Sequence, residues 1–270
     1  DLFRTQLRAA TWAHDERAAW DALEFLEDAA EDTGLARHAD FWWLDAALRA
    51  AGRFGHTDVL QRYLAPYAAL VADDGVHGIL VQLPLPAHLD PEPVLALLPP
   101  QKDVDGLTDR SLGRLVRDLP GHVPCTPLGV MRLIERYGIA TQGQRAVVIG
   151  RSTLVGLPQV LLLGRRGCDA TVTLAHSRTD DLIDVCRSAD IIVAAAGHAH
   201  MIGVDHVRPG ATVIDVGVSR TEAGIVGDVD FDAVQAVAGA ITPMPGGTGP
   251  MTIGCLLENT VAAARMLGAL

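Results

Sequence analysis

The sequence predicts an α/β protein with a mostly parallel sheet, preceded by a helical N-terminal segment. Short apolar, β-rich runs alternate with helical stretches from about residue 75 onward, which is the pattern of repeated strand–helix–strand units. The aromatic residues are instead concentrated upstream, since all four Trp lie within the first 43 positions. This change in composition indicates that residues 1–71 differ in origin or role from the rest of the chain.

Composition excludes several classes of protein. Of the 270 residues, 49% are hydrophobic and 20% are charged, which predicts a globular chain long enough for two domains. The net charge of −11 argues against nucleic-acid backbones and anionic membranes as partners, because both attract basic patches. No apolar run approaches the roughly 18–20 residues that span a bilayer. The first residues also lack the apolar stretch of a signal peptide, so we expect a cytoplasmic protein.

Neither the cysteines nor the histidines predict a metal site. The four cysteines form no Cys-x-x-Cys pair, which favours ordinary buried thiols over a disulfide or a zinc site. His198 and His200 form a His-x-His pair, but no third ligand lies nearby in the sequence. We therefore predict that no metal is bound.

Residues 1–71 carry apolar side chains at helical spacing. One helix is predicted to end at Gly34 and a second at Gly52 or Gly55, since glycine commonly follows a helix C-terminus. A third helical segment follows, and Pro66 interrupts it. An amphipathic helical bundle accounts for this spacing.

The α/β pattern begins with a continuous apolar run over residues 78–83, which predicts a strand buried on both faces. The next predicted helix has Thr126 as N-cap, begins at Pro127 and runs to Tyr137, where Gly138 can end it. Further strands, separated by helical stretches, are predicted at residues 145–149, 170–174, 190–194 and 212–216. A final helix is predicted over residues 251–267.

A loop with a recognisable physical role follows the strand at residues 145–149. The strand ends at Gly150, a tight turn and Gly156 follow, and Pro158 is expected to open a helix. Ligands bind at the carboxyl ends of parallel strands, and a helix N-terminus there presents amides and a partial positive charge to a pyrophosphate. Because the spacing is not Gly-x-Gly-x-x-Gly, the loop alone also fits an ordinary strand-to-helix turn.

Two details favour NADP over NAD as the ligand of this loop. Arg151 follows the first strand immediately, and the next strand leads to Ser177 and Arg178. An NAD site usually has Asp or Glu in that second position to hold the ribose 2′-hydroxyl. A hydroxyl and a guanidinium suit a 2′-phosphate instead. A solvated loop charge is the alternative interpretation of Arg178.

Three other segments are candidates for contact with a substrate. Gln82 lies in VQLPLP at the end of the first predicted strand, where a buried amide needs hydrogen-bond partners. Asp105 lies in the turn QKDVDGLT, beside Asp103. The segment TPMPGGTGPMT alternates proline and glycine, which suits close approach of backbone to a ligand. Each segment by itself also fits an ordinary turn.

Taken together, these segments resemble the methylenetetrahydrofolate dehydrogenase/cyclohydrolase family. GILVQLPLP, KDVDGL, PCTPLGV, VVIGRSTLVGLP, TVTLAHSRT, ADIIVAAAG, PGATVIDVGVSR, GDVDF and PMPGGTGPMT occur in the order found in that family. The resemblance covers about residues 72–267. It implies a Rossmann-like NADP lobe with a mostly parallel sheet and a smaller substrate lobe, here partly rebuilt with a helical N-terminal segment.

The resemblance also implies site residues, a cofactor and partners. The NADP site would comprise Gly150, Arg151, Ser152, Ser177, Arg178 and Val218. Gln82 and Asp105 would face the pterin of a tetrahydrofolate derivative and serve as the catalytic residues, and Pro245, Gly246 and Gly247 would line the cleft. Family members oxidise 5,10-methylenetetrahydrofolate with NADP and hydrolyse the methenyl product to 10-formyltetrahydrofolate. They are usually homodimers.

The sequence departs from the family at one functional motif. The family carries Tyr-x-x-x-Lys upstream of VQLPLP, whereas the residues four after Tyr63 and Tyr67 here are Tyr67 and Val71, and the only lysine is Lys102. Loss of a general acid/base typically lowers a rate by about 10²–10⁴-fold, so we predict very weak cyclohydrolase activity. The alternatives are an impaired NADP-binding paralogue and an interaction protein that uses its helical N-terminus.

The predicted domain organisation follows the resemblance. It comprises a helical segment at residues 1–71, a partial folate lobe at 72–121, an NADP-binding domain at 122–250 and a C-terminal helix at 251–270. That last helix is expected to pack back on the substrate lobe.

Overall fold

The computed structural model describes residues 67–85, 91–221 and 224–270. The chain divides into two compact units, Asp1–Val76 with Leu80–Pro99, and His77–Ile79 with Pro100–Leu270. The helices predicted between residues 1 and 66 lie outside the described residues.

In the first unit, two short helical pieces are joined by one long-range hydrogen bond. Residues 67–72 are helical, and α1 spans Pro91–Ala96. The Tyr67 hydroxyl donates to the Val94 carbonyl oxygen at 2.9 Å, and the Tyr67 ring is buried. This bond satisfies a polar group that would otherwise be costly to bury.

The strand expected over residues 78–83 is absent, and that prediction is wrong. Only Ile79 forms a β-bridge, with Asp103, and its amide donates to the Lys102 carbonyl oxygen at 2.7 Å. Its partner segment folds into a turn, closed by a bond from the Gly106 amide to the Asp103 carbonyl oxygen. The turn offers a single extended residue to pair with, so the ladder cannot continue.

A five-stranded parallel sheet forms the centre of the second unit, as the sequence predicts. The strands are β1 Arg145–Ile149, β2 Thr171–Ala175, β3 Ile191–Ala194, β4 Thr212–Asp215, β5 Ser219–Thr221, β6 Gly224–Val226 and β7 Ala240–Ile241. The strand order in the sheet is β2-β1-β3-β4-β7, and β5 and β6 form a separate antiparallel pair. The four strands predicted from the β-rich runs are therefore confirmed to within one residue at each end.

Helices cover both faces of this sheet. They are α2 Asp109–Val116, α3 Cys125–Arg136, α4 Gly156–Gly164, α5 Leu182–Arg187, α6 Phe231–Val234 and α7 Thr248–Met266, with a 3₁₀ turn at Val204–His206. Val147 and Ile149 point into one hydrophobic cluster, whereas Ala146 and Val148 point into the other. Since successive side chains of a strand alternate between faces, burial on both sides accounts for the unbroken apolar sequence of β1.

Three predicted helix starts are corrected. Helix α4 begins at Gly156, two residues before Pro158. Helix α3 begins at Cys125 with Pro124 as its N-cap, so Thr126 lies inside the first turn, where its hydroxyl instead accepts from the Thr252 hydroxyl. Helix α7 begins three residues earlier than predicted, at Thr248. The predicted end of α3 is confirmed, because Gly138 follows its last turn at φ +63°, a conformation that glycine adopts without strain.

Across the described ranges, no helix is both long and apolar enough to cross a membrane.

Candidate cofactor and substrate site

The strand order places a crevice at the carboxyl edge of the sheet. Strands β2 and β3 lie on opposite sides of β1, so the chain reverses its direction of winding there. The crevice outside such a reversal is where open α/β sheets bind their ligands. The loops that follow β1, β2, β3 and β4 all leave the sheet at this edge.

Gly150 and Gly156 allow the loop after β1 to pack closely against neighbouring backbone. Gly150 has φ +123°, and a Cβ atom on it would overlap the carbonyl oxygen of Ala195, in the loop after β3. A Cβ on Gly156 would overlap the carbonyl oxygen of Gly150. Both positions therefore require glycine, as the sequence pattern predicts.

The first turn of α4 is capped from within the loop, which corrects one expectation. The Ser152 Oγ accepts hydrogen bonds from the amides of Val155, at 3.1 Å, and Gly156, at 3.4 Å. The Leu157 amide donates to the Ser152 carbonyl oxygen, and Pro158 has no amide to offer. Ser152 thus occupies the amides that were expected to be free at the helix N-terminus.

The amides that remain available lie just before the helix. Among the described residues, the backbone N–H groups of Arg151, Ser152 and Thr153 have no hydrogen-bond partner. The side chains of all three residues are exposed. Consecutive free amides beside a guanidinium form a concavity that suits a phosphate group.

A pocket of about 410 Å³ adjoins the loop after β2. Its lining combines the loops after β2 and β3 and comprises His176, Ser177, Thr179, Leu182, His198, Ala199 and Met201. The Arg178 amide donates to His176 Nδ1 at 3.2 Å, and the His176 amide donates to the Thr179 hydroxyl at 2.9 Å. The structure therefore places the predicted Ser177 in a pocket, and it adds His198, for which the sequence predicted no role in cofactor binding.

Asp105 lies at the N-terminus of α3, where its Oδ1 accepts a hydrogen bond from the Cys125 amide at 3.3 Å. Burial raises the pKa of the Asp105 carboxyl, and the nearby Asp103 charge raises it further, against the lowering effect of the hydrogen bonds from Cys125. The same burial raises the pKa of the Cys125 thiol, which Asp105 also raises. Burial of this carboxyl beside a second carboxylate is typical of a functional site.

Replacing Asp105 with Asn should flatten the dependence of stability on pH. The native pKa of Asp105 is raised above 3.8, so between pH 3.8 and that pKa the native state binds more protons than the unfolded state. The contribution of Asp105 to the free energy of unfolding must then fall as the pH rises through this window. Denaturant titrations between pH 4 and 7 should show a smaller fall in the free energy of unfolding for Asp105→Asn than for the wild type.

The exposed neighbour Asp109 provides the control for this experiment. Asp109→Asn removes a carboxylate of equal charge from the surface of α2, and it should keep the wild-type slope. An unchanged slope in Asp105→Asn would contradict the assignment of the raised pKa to Asp105.

Buried polar side chains hold the turn that carries Asp105. Asp103 accepts hydrogen bonds from the amides of Leu107 and Thr108 and from the Ser111 hydroxyl. Asn259, on α7, donates to the carbonyl oxygens of Val104 at 2.8 Å and Val123 at 3.0 Å. Asn259 could not be predicted from the sequence, because no local pattern connects α7 with a turn 155 positions earlier.

The remaining predicted site residues lie in separate parts of the molecule. Gln82 belongs to the first unit, and it is exposed rather than buried as expected, with its Nε2 donating to the Leu83 carbonyl oxygen. The segment that carries Gln82 forms no strand, so it does not bury this side chain. Pro245, Gly246 and Gly247 lie directly before α7, and Val218 is exposed after β4.

Lys102 occupies a different position from the lysine of the missing Tyr-x-x-x-Lys motif. It is buried within the turn that precedes α2, with 6% of its surface exposed. Its carbonyl oxygen accepts the Ile79 amide. In the described part of the chain, no group of three or more His, Cys, Asp or Glu side chains could hold a metal ion.

The parallel sheet, the reversal of winding at β1 and the glycine-dependent loop define this unit as a dinucleotide-binding α/β domain. Residues 124–267 match the family model of the tetrahydrofolate dehydrogenase/cyclohydrolase NAD(P)-binding domain, and residues 59–105 match that of the catalytic domain. This chain belongs to the tetrahydrofolate dehydrogenase/cyclohydrolase family.

Individual relatives agree with this assignment. The chain is 58% identical over 198 residues to bifunctional protein FolD 2 of Frankia alni, covering 73% of this chain and 68% of the relative. Its fold matches the bifunctional FolD dehydrogenase/cyclohydrolase of Campylobacter jejuni with a TM-score of 0.72 at 48% identity, over 75% and 72% of the two chains. The Trypanosoma brucei FolD, solved with NADP and an inhibitor, matches with a TM-score of 0.71 at 39% identity, over 76% and 72%.

Proposed function

We propose that this protein oxidises 5,10-methylenetetrahydrofolate to 5,10-methenyltetrahydrofolate with NADP. The observation that carries the proposal is the loop at Gly150, which lies at the winding reversal and packs so closely on the loop after β3 that a Cβ would overlap the Ala195 carbonyl oxygen. Free amides at residues 151–153 lie beside it, and they fit the pyrophosphate of a dinucleotide. The membership of the family supplies the substrate class.

The proposed roles of the chain's residues follow from their positions. Gly150, Arg151 and Ser152 bind the pyrophosphate, and Val218 completes the cofactor site. Ser177 and Arg178 bind the 2′-phosphate, since a hydroxyl and a guanidinium are suitable partners for that group. Bound NADP would supply the hydride acceptor.

The folate side of the proposed site uses other residues. Gln82 and Asp105 bind the pterin, and Pro245, Gly246 and Gly247 line the cleft. A folate nitrogen lone pair stabilises the cation that remains when the hydride leaves, so the protein's contribution is chiefly positioning and electrostatics. Asp105 would hold the pterin from the N-terminus of α3, where the Cys125 amide donates a hydrogen bond to its carboxyl group.

We further propose the domain limits and the assembly that the family resemblance implies. These are a helical segment at 1–71, a folate lobe at 72–121, an NADP domain at 122–250 and a packing helix at 251–270. The protein would act as a homodimer in the cytoplasm, with tetrahydrofolate derivatives as its small-molecule partners.

The test of this function is the formation of NADPH. Purified full-length protein is mixed with 5,10-methylenetetrahydrofolate and NADP, and the absorbance of NADPH is followed, with NAD in a parallel reaction. We expect an NADP-dependent signal that Asp105→Ala reduces. Binding of NADP without turnover would reject the dehydrogenase and favour the paralogue that binds the cofactor but has lost the chemistry.

A further inference from the structure

Two carboxylates are buried beneath the crevice, although the proposed reaction assigns neither a role. Asp215 is the last residue of β4 and is 2% exposed, and Asp228, in the turn between β6 and α6, is 0% exposed. No ion pair to either is found within the described residues. Burying an unpaired charge is costly, so the hydrogen bonds that compensate for it indicate what these side chains do.

Asp215 connects the loop after β4 to the segment that carries Asp228. Its Oδ1 accepts hydrogen bonds from the amides of Gly217 and Asp228, both at 3.0 Å, and its Oδ2 accepts one from the Val229 amide at 3.0 Å. Burial raises the pKa of the Asp215 carboxyl, opposed by these three hydrogen bonds. The result is a fixed geometry for Gly217, the residue before Val218.

Asp228 in turn holds the loop after β3. Its Oδ2 accepts hydrogen bonds from the amides of Ala196, at 2.6 Å, and Gly197, at 3.0 Å. Its Oδ1 has no hydrogen-bond partner among the described residues, and it lies against Gly217, where an added Cβ would overlap the carboxylate. One side chain therefore contacts two of the loops that leave the carboxyl edge of the sheet, those after β3 and β4.

The loop that Asp228 holds also contacts the glycine loop of the cofactor site. Ala195, whose carbonyl oxygen lies against Gly150, immediately precedes the two amides that Asp228 holds. Because a single oxygen of Asp228 accepts from two consecutive amides, this side chain restrains the Ala195–Gly197 loop.

We propose that Asp228 is a positioning residue for NADP, acting through the Ala195–Gly197 loop and Gly217 without touching the cofactor itself. This inference rests on the proposed function only in taking NADP as the ligand. It requires that the loss of the carboxylate change the affinity for NADP, and not merely the stability of the fold.

The test compares the affinity of full-length variants for NADP by isothermal titration calorimetry. Asp228→Ala removes the acceptor, and we expect the Kd for NADP to rise at least 10-fold. Asp228→Asn retains one oxygen that can accept from both amides, so it should stay within about 3-fold of the wild type. Recovery by this conservative variant is the signature of positioning through the two amides.

The matched control is Asp230→Ala. Asp230 lies two residues further along the same segment, and its Oδ1 accepts the Ala233 amide as the N-cap of α6. Its loss removes a carboxylate cap of the same kind without touching the crevice loops. We expect Asp230→Ala to lower the melting temperature and leave the Kd for NADP unchanged.

Each outcome decides between positioning and simple stabilisation. A wild-type Kd in folded Asp228→Ala would overturn the proposal, as would equal weakening by Asp230→Ala. If Asp228→Ala fails to fold, Gly217→Ala provides a second test, because its added Cβ displaces the carboxylate of Asp228 without removing it. Gly217→Ala should also raise the Kd for NADP. A wild-type Kd in Gly217→Ala would overturn the proposal. Wild-type protein that binds NADP without turnover rejects only the dehydrogenase, whereas wild-type protein that does not bind NADP rejects this inference too.

Discussion

Replacing Gly150 with Ala should weaken NADP binding by at least about 100-fold, which corresponds to about 2.7 kcal/mol of binding free energy. Gly150 has φ +123°, and the added Cβ would overlap the Ala195 carbonyl oxygen. Relief of this overlap requires the loops after β1 and β3 to separate, which removes the geometry of the crevice. The strained backbone would add about 1–3 kcal/mol of destabilisation. Isothermal titration calorimetry with NADP measures the effect.

Gly167 provides the matched control for this substitution. It also has a positive φ, +89°, but a Cβ there would meet no atom within 4 Å. Gly167→Ala therefore imposes backbone strain of the same kind without overlap, and it should lower stability while leaving the affinity for NADP unchanged. Equal losses of affinity in the two variants would show that strain, and not closure of the crevice, limits binding.

Hydrolysis of 5,10-methenyltetrahydrofolate should be about 10²–10⁴-fold slower with this protein than with a relative that carries the Tyr-x-x-x-Lys motif. The general acid/base of that motif is missing, and the only lysine of the chain lies elsewhere, buried in the turn before α2. The decay of methenyltetrahydrofolate absorbance, corrected for its uncatalysed hydrolysis, measures the rate. Hydride transfer itself needs no proton donor, so the dehydrogenase reaction should be less affected.

Lys102→Arg tests whether the buried lysine replaces the missing one. Arginine retains the positive charge and the length of the side chain, but it does not release a proton near neutral pH. We expect the residual rate of hydrolysis to be unchanged in this variant. A wild-type rate comparable to that of the bifunctional relatives would contradict the predicted deficiency, and its loss in Lys102→Arg would assign the chemistry to Lys102.

Cofactor binding and hydrolysis depend on different parts of the chain. Cofactor binding depends on the loops around Gly150 in the second unit. Hydrolysis in the family depends on a motif that this sequence lacks, so it requires a substitute from the rest of the chain. A protein that binds and reduces NADP but hydrolyses poorly would be a dehydrogenase that retains one of the family's two reactions.

Much of the fold could be predicted from the sequence because its signals are local. The apolar run of β1 indicates a parallel strand that is buried on both faces. Gly150 and Gly156 indicate positions where neighbouring backbone leaves no space for a Cβ atom. The failed prediction, a strand at residues 78–83, shows the limit of such signals. The apolar run predicted burial, but of these residues Ile79 alone is buried. A strand also needs an extended partner, and the segment beside Ile79 is a turn.

The sequence by itself determined the parallel sheet, the glycine loop and, through ordered motifs, the family. Only the tertiary structure decided which side chains support the site. His198 joins Ser177 in one pocket, Asn259 holds the Val104 carbonyl, and Asp228 holds the amides of Ala196 and Gly197. These contacts join residues that are 21 to 155 positions apart and follow no helical or strand period. They exist only because the folded sheet and helices bring distant segments of the chain together.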